Sequence, residues 1–135
     1  MQILESAEDY LEMMLMLKES KGFIRSIDIA AGLGVTKPSV SYAVKKLREK
    51  GYITMDEQSS IELTESGLEI ASKMLERHNT ITGVLMQLGV SEETACEDAC
   101  RIEHDISDES YEASLKAFGG SVPHIHTHHS HIFEE

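Results

Sequence analysis

The chain has 135 residues, enough for one compact core or two small domains that share one. Its 41% hydrophobic and 27% charged content is that of an ordinary soluble protein, and no apolar run approaches the roughly 20 residues of a membrane span. A net charge of −12 argues at first sight against a nucleic-acid partner.

The distribution of charge reverses that impression. Residues 21–50 carry Lys21, Arg25, Lys37, Lys45, Lys46, Arg48 and Lys50 against only Asp28 and Glu49. The remaining chain holds five basic and twenty-two acidic residues. A local basic block binds phosphates even when the rest repels them, and bound cations are one explanation for the acidic remainder. The opening MQILESAEDY is acidic and helix-like, unlike a secretory signal, so a cytoplasmic location is expected.

In chain order, Ile3, Leu4, Ala7, Leu11, Met14 and Leu15 recur at helical spacing and predict an amphipathic helix over 4–20, with Ser6 as its N-cap. Met13, Met14 and Met16 are expected in the core. Ser26 is positioned to cap a second helix, Ile27–Leu33, stopped at Gly34. Thr36 caps a third, with Pro38 in its first turn, running through Val40, Val44 and Leu47 to Gly51. Two helices joined by the short Gly34-Val35 turn match a helix-turn-helix. Residues 52–55 and 61–63 alternate like strands around polar 56–60, a two-stranded wing. Thr64 caps a long helix over 65–88, Ser91 opens another to His104, and Ser107 a last one to Phe118. The expected fold is therefore mainly α. A winged helix-turn-helix DNA-binding domain (1–70) precedes an all-helical metal-binding and dimerisation domain (71–118), then a flexible His-rich tail (119–135). No internal repeats are visible.

In a helix-turn-helix the second helix offers its N-terminal side chains to the major groove. Here those are Lys37, Ser39, Val40 and Tyr42. Lys45, Lys46, Arg48 and Lys50 would neutralise phosphates, which positions a protein without reading sequence. Arg25, Thr36, Pro38 and Ser41 complete the candidate DNA-binding set. Asp56 and Glu57 at the wing tip argue for a weak role of the wing.

A second constellation carries metal-binding chemistry. Asp9 and Glu12 share a face of the first helix, opposite the Leu11/Leu15 stripe. Cys100, Glu103 and His104, at i, i+3 and i+4, point S, O and N donors at one place, and His78 lies in the long helix. This mixed set suits Mn²⁺, Fe²⁺, Co²⁺ or Zn²⁺. Taken singly, Asp9 is a capping partner, Glu12 a surface carboxylate, His78 a surface histidine, and Cys96 and Cys100 small core residues. Cysteines four apart on a helix suit a disulfide poorly, so free thiols or metal ligands are expected. Five of the seven histidines fall within 123–131; that tail would chelate Ni²⁺, Zn²⁺ or Cu²⁺ but is expected to be dispensable for metal-dependent DNA binding.

Over about residues 3–118 the chain resembles the iron- and manganese-dependent repressors of the diphtheria toxin repressor/manganese transport regulator family. The resemblance rests on Ser6-Ala7-Glu8-Asp9-Tyr10-Leu11-Glu12, Thr36-Lys37-Pro38-Ser39-Val40-Ser41, Leu63-Thr64-Glu65-Ser66-Gly67 and Arg77-His78. Above all it rests on 99–109, ACRIEHDISDE. It implies a metal-dependent repressor with ligands Asp9, Glu12, His78, Cys100, Glu103 and His104. Asp9 follows the manganese type, while Cys100 follows the iron type. The iron type's ancillary site also uses a glutamate and a histidine where this chain has Thr82 and Cys96, so the resemblance does not extend to that site. The SH3-like domain of larger members is not expected.

The implied cofactor is Mn²⁺ or Fe²⁺, with Zn²⁺, Co²⁺ or Ni²⁺ able to substitute in vitro. The implied partners are a pseudo-palindromic double-stranded operator and a second copy of the chain, with no membrane. Ile102, Ile106, Tyr111, Leu115 and Phe118 give a homodimer its apolar surface. Two rivals stand beside this reading. A metal-dependent hydrolase would need a pocket-forming loop and a nucleophile that the sequence does not display. A winged-helix regulator of a small organic ligand would leave the acidic, His and Cys cluster as structure.

Overall fold

The computed structural model describes residues 5–117. The expectations for Phe118 and for the His-rich tail lie outside the described residues. The element order is α1 (Glu5–Lys21), α2 (Ser26–Leu33), α3 (Lys37–Glu49), β1 (Ile53–Met55), β2 (Ile61–Leu63), α4 (Glu65–Gln87), α5 (Glu92–Asp105) and α6 (Asp108–Ala117). The described chain divides into two compact units, the first ending at Lys73 and the second starting at Met74. Helix α4 begins in one and ends in the other.

In the first unit α1 packs on α2, α3 and β2, and α3 packs on α2 and β1. Helix α1 departs from expectation. Residues 10–17 are all buried, so the helix is enclosed rather than amphipathic. Met13, Met14 and Met16 lie in that core. Ser6 is inside α1 and does not cap it. Ser26 is likewise the first residue of α2, and Arg25 before it makes no side-chain cap bond. Local sequence alone misjudged both starts because an N-cap must leave helical φ/ψ, which a serine does not enforce.

The remaining signals hold. Gly34 ends α2 in the left-handed conformation (φ 67°), where a side chain would be strained. The Thr36 hydroxyl accepts the Ser39 N–H at 3.2 Å, with Pro38 in the first turn of α3. Val40, Val44 and Leu47 fall on one stripe and are buried. Val40 therefore belongs to the core, not to the groove-facing set: its 1% exposure follows from the same 3.6-residue period that exposes Tyr42 at 65%.

Strands β1 and β2 pair antiparallel with Ile53 opposite Leu63 and Met55 opposite Ile61. Ile53 and Ile61 turn inward and Thr54 and Glu62 outward. The wing tip is built by Asp56, whose Oδ1 accepts the N–H groups of Gln58 and Ser60, both at 2.9 Å. At the other end, Thr64 donates to the Gly51 carbonyl at 2.7 Å and accepts the Gly67 N–H at 3.3 Å, which starts α4. Gly67 is required there, because a Cβ would stand 2.0 Å from the Tyr52 carbonyl oxygen.

In the second unit Ser91 caps α5 through the Thr94 N–H, and Ser107 caps α6 through the Ser110 N–H. Arg77 of α4 ties α6 down. It donates to the Ile106 carbonyl at 3.0 Å, pairs with the Asp108 carboxylate, and lies over the Tyr111 ring at 5.0 Å. The Tyr111 hydroxyl meets Thr80 and Glu76, each at 3.4 Å. Tyr111 is thus buried within its own protomer, and drops out of the apolar surface assigned to a dimer. Ile102 stays exposed, and Ile106 and Leu115 half-buried.

Candidate metal centre and nucleic-acid interface

Helix α3 presents Lys37, Pro38, Ser39, Ser41, Tyr42, Lys45 and Lys46 on its exposed side, with Thr36 at its start. A helix N-terminus adds its own partial positive charge and N–H groups at that end. Ser39 receives a hydrogen bond from the Thr36 hydroxyl at 2.9 Å, so part of its capacity serves the cap. Lys46 pairs with Glu49 at 3.8 Å and lies 5.5 Å from the Tyr42 ring centroid. Arg25 is exposed and stacks over Phe23 at 4.4 Å. A buried stripe fixes the orientation of α3, and its opposite side offers cations, hydroxyls and one aromatic ring, the chemistry expected of a helix that reads a groove.

The second unit gathers donors from two helices. His78 comes from the buried face of α4, while Cys96, Cys100, Glu103 and His104 come from successive turns of α5. His78 is fully buried, which corrects its reading as a surface histidine. Its Nδ1 lies 3.6 Å from Glu103 Oε2 and 3.8 Å from Cys100 Sγ, and its Nε2 lies 3.4 Å from Cys96 Sγ. Glu103 is also buried, and its Oε1 lies 3.8 Å from His104 Nε2. Both cysteines are free thiols. Thr82 occupies one ancillary-site position, and its hydroxyl donates to the His78 carbonyl at 2.7 Å.

Electrostatics follow from this crowding. Burial opposes a charge on His78, but the hydrogen bond to Cys100 and the adjacent Glu103 outweigh it and raise its pKa to about 10. Hydrogen bonding to Cys96, then desolvation, pushes the Cys100 thiol up, only partly offset by His78. Cys100 is accessible as a residue, yet its sulfur behaves as a desolvated group. The raised pKa favours an imidazolium at His78 beside the buried Glu103 carboxyl. The donor chemistry fits a divalent cation: the Glu103 carboxylate and the Cys100 thiol both lie near Nδ1 of the buried His78, with an accessible edge at Cys100.

Asp9 and Glu12 stand one turn apart on α1, in the first unit; Asp9 is half-buried and Glu12 buried. Arg77 carries more than sequence reasoning assigned it, being visible only through the resemblance. Cys96, expected with Cys100 to be a free thiol or a metal ligand and read singly as core, precedes Cys100 by the same four residues that separate Cys100 from His104.

A winged helix-turn-helix joined to a helical unit with this donor set defines a metal-responsive DNA-binding regulator. Residues 2–61 match the iron dependent repressor N-terminal DNA binding domain, and residues 64–133 match the iron dependent repressor metal binding and dimerisation domain. The chain belongs to this family of metal-dependent repressors. An HTH-type transcriptional regulator of Methanocaldococcus jannaschii is 41% identical over 116 residues, 84% of this chain and 92% of that one. The transcriptional regulator MntR of Salmonella typhimurium is 38% identical over 111 residues, 82% of this chain and 71% of that one. Among solved structures, T. acidophilum IdeR superposes with a TM-score of 0.77 at 29% identity, covering 88% of this chain and 55% of that one. The manganese regulator SloR gives 0.73 at 33%, covering 83% and 53%. The chain thus spans about half the length of these two structures. No helix among the described residues is long and apolar enough to cross a membrane.

Proposed function

We propose that this chain is a homodimeric repressor that binds a pseudo-palindromic duplex operator when loaded with Fe²⁺ or Mn²⁺. Its first domain (1–70) reads DNA, and its second (71–118) holds metal and dimerises. The convergence of His78, Cys100, Glu103 and His104 carries this reading. The resemblance adds Asp9 and Glu12 to the ligand set. A bound divalent cation supplies the positive charge that offsets these acidic and thiol groups.

The residues divide the work. Glu103 and His104 supply donors from one turn of α5, and His78 answers them from α4. Asp9 and Glu12 are the further donors that the resemblance implies. Metal binding is read as restricting the spacing of two recognition helices, which must meet half-sites about 34 Å or a multiple apart. A shift from mostly incompetent to mostly competent requires about 5.5 kcal/mol of differential binding, within reach of a multidentate site. The buried cluster is ionisable, which suits a cation better than an organic effector. The protein is read as a regulator, not a catalyst, in line with the regulators it matches.

The test pairs calorimetric titration of Mn²⁺ and Fe²⁺ with enrichment of duplexes from a random pool, with and without each ion. Metal-dependent enrichment of a two-fold-related sequence is expected. Enrichment indifferent to both ions, or no heat of binding, defeats the proposal.

A further inference from the structure

The ligand set proposed above uses His78 and Cys100 but leaves Cys96 aside. We propose that Cys96 is a metal ligand in its own right, so that His78, Cys96 and Cys100 form an imidazole–dithiolate site for a soft divalent cation such as Zn²⁺ or Cd²⁺. The inference rests on the metal reading of the same cluster and deepens it.

The geometry lies within one unit. Cys96 and Cys100 are one turn apart on α5 and both turn toward His78 on α4. One donor atom from each of the three residues lies within 4.8 Å of the others. With metal–sulfur and metal–nitrogen bonds of about 2.3 and 2.0 Å, tetrahedral donors stand about 3.5 Å apart, so side-chain shifts of about 1 Å close the site. The ring now shows Nε2 to Cys96 and Nδ1 to Cys100; a single ion takes one nitrogen and draws the other sulfur across the ring. His78 and Cys96 are buried, while Cys100 is accessible and gives an entry path. On coordination two metal–sulfur bonds and one metal–nitrogen bond form, two S–H bonds and one imidazolium N–H bond break, and the three protons leave to solvent. A second thiolate raises affinity for Cd²⁺ and Zn²⁺ over Mn²⁺, which prefers oxygen donors. Cys96 is thereby a specificity-determining residue.

The chain contains two cysteines, so a sulfur-to-metal charge-transfer band counts these ligands directly; histidines of the tail give no such band. The reduced full chain is titrated with Co²⁺ and Cd²⁺ under argon, alongside Cys96→Ser and Cys100→Ser. Two-thiolate intensity is expected in the native protein and about half in each variant, with Cd²⁺ affinity of Cys96→Ser weakened by about tenfold or more. Mn²⁺ affinity in that variant should stay near the native value. The ¹¹³Cd NMR shift of the unsubstituted protein counts sulfur ligands independently of how the variants fold. One-thiolate intensity, unchanged in Cys96→Ser, overturns the Cys96 assignment while leaving the metal reading in place. No sulfur band with Mn²⁺ still bound overturns it too. No binding of any ion defeats both.

Discussion

His78 Nδ1 lies 3.6 Å from Glu103 Oε2, with both side chains withdrawn from solvent. With His78 as a ligand, this contact would make metal binding a proton-release reaction. The pKa of His78 is raised from its ordinary 6.5 to about 10, so at neutral pH the incoming cation must displace a proton. The Cys100 thiol, also pushed up, must lose one as well. Metal affinity should therefore rise with pH through the neutral range. Calorimetry at pH 7 in two buffers of different ionisation enthalpy should report about two protons released per ion. Affinity flat from pH 6 to 8 would contradict this.

The same contact sets the stability of the metal-free protein. A folded-state pKa above the unfolded value contributes stability that is complete below pH 6.5 and lost as pH rises toward about 10. The melting temperature of chelator-treated protein should fall across that window. His78→Gln should flatten the decline, and an unchanged slope in that variant would assign the effect elsewhere.

Glu103 and His104 are neighbours on one turn of α5, and substituting either removes a donor without disturbing the helix. Glu103→Gln and His104→Ala should each weaken Mn²⁺ or Fe²⁺ binding by about 10–100-fold. Metal-stimulated DNA binding should vanish while the far-ultraviolet circular dichroism is retained. Native metal affinity in both would remove the case for this centre.

On α3, neighbouring substitutions should act on different properties. Lys45→Ala should weaken DNA binding about equally across sequences and lower the salt slope by about 1. Tyr42→Ala should cost about 1–3 kcal/mol on the preferred operator and less on others. Val40→Ala should instead cost about 2 kcal/mol of folding stability, because its side chain is buried. Denaturant unfolding and binding assays on all three separate these effects. Loss of DNA affinity in Val40→Ala at full stability would return that residue to the groove.

Arg77 holds α6 through unequal partners. Arg77 is buried, whereas the Asp108 side chain is 75% exposed. Arg77→Ala should cost about 2 kcal/mol, since it strips donors from the Ile106 carbonyl and the face of Tyr111. Asp108→Ala should cost less than about 1 kcal/mol, as an exposed partner is screened by water. Equal losses in urea denaturation would show that the ion pair, and not the carbonyl bond, anchors the helix.

Much of this molecule was legible from residue order alone, because it depends on neighbours at i+2 to i+4. Thr36, Ser91 and Ser107 cap helices three residues downstream, and Gly34 takes the left-handed turn. Cys100, Glu103 and His104 share a turn because α5 is a helix. Tertiary structure decided what lies across elements. The enclosure of α1, the burial of His78 and the Arg77 clamp on α6 depend on which helix faces which, a choice made by packing and not by spacing. Cys96 is the clearest case. Its spacing from Cys100 is plain in the sequence, but only the packing of α5 on α4 sets its sulfur 3.4 Å from an imidazole.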